Sequence, residues 1–308
     1  MKYIKNTLEF KITEPSVITL GKFDGLHRGH DLLMENLLKK SRENGYRSIV
    51  FTFDIPPSQN VKRVESQVIT TNEEKYEIFE KTGIDYLIEC PFTKEVMCME
   101  PEKFIAWIVR ALCVKCIVVG EDFHFGHNRG GDYKLLQKNA SKYGYEVVVL
   151  SKIKEDGRDI SSTFIREEIM QGNIEKANHL LGYEFFLKSK VVHGKKIGRT
   201  IGIPTINMVL PKEKLLPPNG VYITRVVIGD TIYKGVTNVG CKPTIEGFHP
   251  IGVETHIIDF GQNLYDEIIT IEFLQFVRAE MKFTTIDELK AQMNRDITKA
   301  ENYFSQKE

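Results

Sequence analysis

Cysteine is scarce in this 308-residue chain, and neither sign of charge is in excess: there are 5 Cys, and 42 Lys plus Arg stand against 42 Asp plus Glu. An odd handful of thiols supplies no disulfide framework and fits a reducing cytoplasm. Zero net charge excludes a basic footprint for duplex nucleic acid, a polybasic membrane anchor and an acidic disordered tail. An anionic ligand therefore needs a local site. Long hydrophobic runs are also missing. Stretches such as Ile117 to Val119 and Val147 to Leu150 are strand-sized, far short of the roughly 20 residues that span a bilayer. The opening MKYIKNTLEFKITEP breaks every few residues for Lys or Glu and lacks the apolar core of a secretory signal. Cys113 and Cys116 form one C-x-x-C, but no second pair completes a four-thiolate zinc site, so they read as core and near-core thiols. Small molecules, not nucleic acid or membrane, are the expected partners, and nothing in the sequence speaks to oligomeric state.

What is present is ordinary globular composition, 42% hydrophobic and 27% charged, over a length that suggests two domains at roughly 150 residues each. From about residue 16 onward short apolar runs alternate with amphipathic stretches: VITLG, HDLLMENLLKKSRENG, SIVFTF, then EKYEIFEKTG before IDYLIEC, PEKFIAWIVRALC before KCIVVG, and DYKLLQKNASKYG before YEVVVL. Such alternation predicts a parallel sheet covered by helices, with nucleotide sites at the carboxyl ends of its strands. Two short helices follow, the second closing at Gly182 as a C-cap. Beyond Gly182 alternating strands dominate, FFLKSKVVHG, GVYITRVVIG, TIYKGVTNVG, GVETHIIDF and EIITIEFLQFV, broken by Gly, Pro and Asp turns. Ile228-Gly229-Asp230-Thr231 reads as a hairpin turn, and TIDELKAQMNRDITKAENYF as a last helix capped by Thr285. The expected architecture is an α/β domain over 1–183 and a small antiparallel β-barrel with a C-terminal helix over 184–308.

Residues 20–30, LGKFDGLHRGH, lie between the first strand and the first helix. Gly21 and Gly25 permit close backbone approach, and His27 and His30 stand at a helix N-terminus whose amides and dipole favour phosphate. Two imidazoles three apart can donate hydrogen bonds to charge on a reacting phosphate. As isolated letters they would be inert surface residues. A second glycine-lined loop, residues 120–131, GEDFHFGHNRGG, follows another strand. A third segment, ISSTFIR from Ile160, taken alone is a good N-cap.

The second half carries HGKKIGRTIGIPTIN over residues 193–207. It is not a Walker loop: the glycine spacing is one residue short, Arg199 stands where Lys is needed, and the surroundings read as barrel. Gly194, Gly198 and Gly202 suit a flap whose amides surround phosphates, with Lys196 and Arg199 nearby. Thr205 and Asn207 point to one side of an extended chain, and a hydroxyl with an amide oxygen forms a hard pair suited to Mg²⁺. An isolated Thr and Asn would equally hydrogen-bond a turn, and Glu254, in an alternating strand, would equally be a solvated residue.

The strings G-K-F-D-G-x-H-x-G-H, V-V-G-x-D-F-x-F-G-x-x-R-x-G and I-S-S-T-x-I-R, followed by G-K-x-x-G-R-x-x-G-x-P-T-x-N, P-x-G-V-Y, G-V-x-N-x-G-x-x-P-T, V-E-T-H-I-x-D-F and R-x-E-x-K-F, resemble the bacterial bifunctional riboflavin kinase/FMN adenylyltransferase family over nearly the whole chain. The resemblance implies a Rossmann-like nucleotidylyltransferase domain and a flavokinase barrel. It implies ATP as co-substrate with Mg²⁺, and riboflavin, FMN and FAD as substrate and products. In the first domain it implies that Gly21, Phe23, Asp24, Gly25, His27, His30, Ser162, Thr163 and Arg166 serve ATP and its phosphates, and that Asp122, Phe123, Phe125, Gly126 and Arg129 form the FMN loop. In the second it implies that Gly194, Lys196, Gly198, Arg199, Thr200, Gly202 and Pro204 bind ATP, that Thr205 and Asn207 hold the metal, and that Arg278 and Glu280 lie by the flavin. Glu254 would be the base for the riboflavin 5′-hydroxyl.

Some positions depart from the family pattern. Ile55-Pro56-Pro57 stands where the family commonly reads Pro-His-Pro, Phe164 where many members have Arg, Asp266 where Gly is usual, and Lys188-Ser189-Lys190 where a Gly is common. The first two leave open a kinase with weak or lost adenylyltransferase activity; a non-catalytic flavin-binding regulator is the other alternative.

Overall fold

The computed structural model describes residues 1–54, 67–194, 197–241 and 251–307. They form two compact units, Met1–Ser162 and Thr163–Glu308. In the first, the apolar runs become β2 (Ser16–Leu20), β3 (Arg47–Phe53), β4 (Tyr86–Cys90), β5 (Val114–Gly120) and β8 (Glu146–Leu150), and a charged N-terminal strand, β1 (Lys2–Lys5), is added at the edge. The order is β1-β4-β3-β2-β5-β8, and every pair is parallel.

Because side chains alternate along a strand, the strands feed two cores. Val17, Val50, Leu87, Cys116 and Val118 pack with Met34 and Leu37 of α1 (Arg28–Asn44) and Phe79 of α2 (Asn72–Glu80). Ile18, Leu20, Ile49, Phe51, Ile88, Ile117 and Val119 pack with Phe104, Ile105 and Ile108 of α4 (Pro101–Leu112) and Leu136 of α5 (Tyr133–Tyr143), with α3 (Lys94–Met97) supplying Val96. Continuous apolar strands covered on both faces are what a parallel sheet requires. Chain order reverses between β2 and β5, so the crevice for a ligand opens at their carboxyl ends. Two small ribbons complete the unit: β6 (His124–Phe125) with β7 (Gly131–Asp132), and β9 (Lys154–Glu155) with β10 (Arg158–Asp159).

Helix α6 (Ser162–Met170) crosses from one unit to the next, and α7 (Ile174–Leu181) ends at Gly182 with φ 86°, the C-cap the sequence calls for. Asn178 of α7 donates to the Phe273 carbonyl and accepts from Phe185 N–H, both at 2.8 Å. Those bonds tie α7 to the barrel unit, whereas the sequence pattern groups both helices with the preceding domain.

Strands β11 (Phe186–Val192), β12 (Ile206–Met208), β13 (Gly220–Ile228), β14 (Thr231–Cys241), β15 (Ile251–Ile257) and β16 (Ile268–Ala279) close a barrel in the order β11-β12-β15-β14-β13-β16. All its pairs are antiparallel. A short helix, α8 (Ile197–Thr200), precedes β12. The β13–β14 hairpin turns at Gly229-Asp230, with φ +56° at Gly229. Inside, the buried hydroxyls of Thr224, Thr237 and Thr255 satisfy one another at 2.8 Å. Outside, α9 (Ile286–Ser305), capped by Thr285 as expected, lays Ala300 and Ile297 over Ile223 and Leu274. Cys90, Cys98, Cys113 and Cys116 are free thiols. Burial pushes Cys90 and Cys116 up to about 12, which makes them inert packing groups.

Candidate active sites

At the carboxyl end of β2 the chain makes a tight left-handed passage, with φ 49° at Phe23, 82° at Gly25 and 34° at Leu26. Such strain persists only where its surroundings fix it. Asp24 Oδ1 accepts from the Ile69 and Thr70 amides at 2.8 and 3.1 Å, Gly25 N–H donates to Thr70 Oγ1 at 3.0 Å, and Ser162 Oγ donates to the Asp24 carbonyl at 2.7 Å. Asp24 and Ser162, both expected near phosphate, thus hold the loop in shape. Thr70 was not legible as part of this element, since nothing local in its sequence marks it.

The passage delivers His27 to the N-cap of α1. The His27 and His30 rings stack with centroids 3.9 Å apart, and Phe23 packs 5.1 Å from His30. Gly29 permits that stack, since a Cβ there would lie 3.0 Å from the His27 ring. His27 is 6% exposed. The buried Nδ1 atoms of both histidines, and the Thr19 hydroxyl on the strand feeding the loop, have no hydrogen-bond partner among the described residues. Buried polar atoms without partners cost about 1–3 kcal/mol each, and those of His27 and His30, at the N-terminus of α1, call for a partner that the described residues do not supply. Burial lowers His27 to about 4, and burial together with His27 holds His30 well below the usual imidazole value. Both rings are therefore neutral at pH 7, each with one N–H to donate.

The second loop leaves β5 on the same sheet edge. Phe123 and Phe125 stack at 5.5 Å, and Phe125, buried, anchors the loop on Phe104. Gly126, Asn128 and Arg129 adopt φ of 72°, 50° and 58°. Arg129, exposed, lies 3.4 Å from His124 Nδ1, which sits 2.8 Å from the Asp122 carbonyl. The Asp122 carboxylate is paired with Lys152 at 3.1 Å, and the same ammonium meets Asp159 at 3.2 Å. Lys152 escaped the sequence reading, although a lysine two residues beyond β8 was the available signal.

Thr163 and Arg166 lie on α6 within the second compact unit, Thr163 exposed and Arg166 half-buried. Phe164 is 3% exposed, with the Lys176 ammonium 5.1 Å over its ring. The position where relatives often carry Arg is a core position in this chain. Pro56 lies outside the described residues, as do Lys195 and Lys196.

In the barrel unit, Gly194 and Gly198 are close-approach glycines. A Cβ on Gly194 would sit 2.3 Å from Asn207 Nδ2, and one on Gly198 would sit 2.3 Å from the Ile203 carbonyl and 3.4 Å from Thr205 Oγ1. The motif's glycines thereby set Gly194 against Asn207 and Gly198 against Ile203 and Thr205. Gly202 turns the chain at φ +80°, Arg199 and Thr200 are exposed on α8, and the Pro204 carbonyl lies 2.8 Å from His256 Nδ1.

Strand register sets the rest. Val192, Asn207, Glu254, Asn238, Val221 and Arg278 are consecutive cross-strand partners from β11 to β16. Directly opposed residues share a face with Cβ atoms about 4.5–5.5 Å apart, so they form one belt on the face opposite the buried threonines. Glu254 stands between the two carboxamides. Arg278 is committed to Asp296 of α9 by three contacts of 2.7–3.1 Å, and Asp296 is 1% exposed. Glu280 accepts from Asn219 Nδ2 at 3.0 Å. Asp266 occupies φ +71° and pairs with Lys190 at 2.8 Å; the left-handed turn explains why relatives carry Gly there, and the ion pair links two of the departures.

A family model for FAD synthetase matches residues 9–164, and one for riboflavin kinase matches residues 181–304. The bifunctional riboflavin kinase/FMN adenylyltransferase of Escherichia coli K12 is 35% identical over 94% of this chain and 93% of its own. The chain belongs to this bifunctional family. Its Bacillus subtilis member is 36% identical, with the same coverage. A crystal structure described as a macrolide-efflux protein from Streptococcus pneumoniae superposes with a TM-score of 0.88 at 30% identity, covering 98% of both chains. Both modules of a riboflavin kinase/FMN adenylyltransferase are present in order. Among the described residues no helix is long and apolar enough to cross a membrane.

Proposed function

We propose that the two activities of this family are divided between the two clusters, with FMN adenylylation at His27 and His30 and riboflavin phosphorylation at the belt around Glu254. The observation that carries the first assignment is the pair of buried Nδ1 atoms without partners at the α1 N-terminus. In that reaction an oxygen of the FMN phosphate attacks the α-phosphorus of ATP, the bond to the β-phosphate breaks, and pyrophosphate leaves. Catalysis is then mainly positioning and charge stabilisation. Neutral imidazole N–H groups and helix amides supply donors to the α-phosphate without a desolvated cation to bury. Asp122, Phe123, Phe125, Gly126 and Arg129 would frame the flavin, with Lys152 holding the Asp122 carboxylate.

In the barrel, Glu254 would take the proton of the riboflavin 5′-hydroxyl as its oxygen attacks the γ-phosphorus of a second ATP, with ADP leaving. Close packing of Gly194 and Gly198 on Asn207 and Thr205 supports an ATP site along 194–204. Thr205 and Asn207 offer two neutral hard oxygens, and the described residues contain no group of three His, Cys, Asp or Glu able to hold a metal. That donor set suits Mg²⁺, which prefers few protein ligands plus phosphates; when bound, the ion would neutralise phosphate charge. Arg278 is read as the clasp between β16 and α9 that shapes the flavin side, and Thr163 and Arg166 keep their assignment to the departing phosphates from the family pattern. A boundary at 183/184 between the modules and a cytoplasmic setting belong to the same proposal, the latter supported by the free thiols.

Substitution separates the sites. His30→Ala should stop FMN-to-FAD conversion and leave riboflavin phosphorylation, while Glu254→Ala should do the reverse, read by chromatography of flavin products. Loss of both activities from either change in a folded chain contradicts the division.

A further inference from the structure

The G-V-x-N-x-G segment carries Asn238, to which the preceding assignments give no role. Its neighbours in the motif are explained by packing. Thr237 belongs to the buried hydroxyl chain, and a Cβ on Gly240 would collide with Glu280 Oε1 at 1.9 Å. Asn238 differs from them. It is half-buried, it lies on the belt face directly opposite Glu254, and its carboxamide makes no hydrogen bond with a described residue. Its Nδ2 lies 3.2 Å from where a Gly240 Cβ would be, so it sits over the same Gly240 surface that Glu280 Oε1 approaches.

We infer that Asn238 is a positioning residue for riboflavin phosphorylation: together with Asn207 it brackets Glu254 between two neutral carboxamides and separates it from the Glu280 carboxylate. This rests on the reading of Glu254 as the base. A general base must be oriented while staying available to accept a proton. At position 238 a second carboxylate would compete with Glu254 for the proton. A neutral carboxamide there adds no such competitor while filling the space beside the base. Among the described residues, the charged or titratable groups on this side include His256, two residues along β15, Lys234, four residues along β14 with its ammonium over Phe304, Glu280 beyond Gly240, and Arg278, whose charge is met by Asp296.

The test uses the full-length chain. Asn238→Ala should lower kcat for riboflavin phosphorylation at least tenfold while moving KM for riboflavin less than about twofold, since orientation and not binding is lost. Asn238→Asp keeps the shape and puts a second carboxylate across the strand pair from Glu254, so it should lower kcat at least as far as Asn238→Ala. FMN-to-FAD conversion should be unchanged in every variant. An N238A kcat within twofold of the parent, or an N238D kcat above that of N238A, overturns the inference. Glu254→Gln separates the underlying reading: if it still phosphorylates riboflavin, the base assignment itself fails; if it is inactive while the Asn238 variants are silent, only the role of Asn238 fails.

Discussion

Gly194→Ala is a substitution of one methyl group whose consequence follows from the geometry. The new Cβ would lie 2.3 Å from Asn207 Nδ2, 2.6 Å from its Cγ and 2.8 Å from its Oδ1, where ordinary contact begins at 3.4 Å. The two groups must separate by about 1 Å to reach ordinary contact. Asn207 has little room to yield, being 4% exposed and registered between Val192 and Glu254. Overpacking of this kind costs about 1–3 kcal/mol of stability, and a misplacement of about 1 Å in a reacting constellation costs roughly 100-fold in rate. The assay is the initial rate of FMN formation from riboflavin and Mg-ATP, with FMN-to-FAD conversion by the same preparation as internal control. The expected result is a roughly 100-fold loss of the first activity and none of the second. Gly229→Ala supplies the contrast, because that glycine is left-handed, at φ +56°, but has nothing within 4 Å of its Cβ position; it should cost about 1 kcal/mol and leave both rates alone. A Gly194→Ala enzyme phosphorylating riboflavin within a few-fold of the parent would refute the packing argument.

The depressed titration of His27 makes a stability prediction with a definite sign. Between about 6.5 and about 4 the unfolded chain binds a proton that the folded one does not, so stability falls as pH drops through that window, by about 3 kcal/mol at most for this residue. Chemical denaturation followed at intervals of pH should show the slope, and His27→Gln should flatten it. Asp296→Ala leaves the Arg278 guanidinium without its buried partner and should destabilise the chain by about 3 kcal/mol, read as a lowered midpoint in denaturant. Asp266→Gly exchanges left-handed strain and one exposed ion pair for glycine's entropy, and should change stability by less than about 1 kcal/mol with kinase rate unaltered.

Local pattern carried most of the architecture. The alternation of apolar runs and amphipathic stretches gave the covered parallel sheet, and Gly182, Gly229-Asp230 and Thr285 cap and turn where their chemistry requires. The edge strand β1 was illegible because Lys-Tyr-Ile-Lys has no strand-length apolar run; it is recruited by pairing with β4. The same limit applies to the sites. His27 and His30 could be located from their spacing, but that Asp24 serves the loop backbone through residues 69 and 70, or that Lys152 joins Asp122, depends on segments brought together only by folding. In the barrel the motifs marked Asn207 and Glu254, yet their adjacency, and the presence of Asn238 beside them, follow from strand register across β12, β15 and β14. Arg278 carried a flavin-side expectation from its motif, and its engagement with Asp296 depends on where α9 docks.

The central claim is that one chain holds two working nucleotide sites, although Phe164 and Ile55-Pro56-Pro57 depart from the family pattern in the first. Supplying FMN directly, with Mg-ATP and no riboflavin, bypasses the kinase and tests that site alone. FAD and pyrophosphate forming in equal amounts is the predicted result. Conversion of riboflavin to FMN by the same preparation, with no FAD formed from supplied FMN, would contradict it.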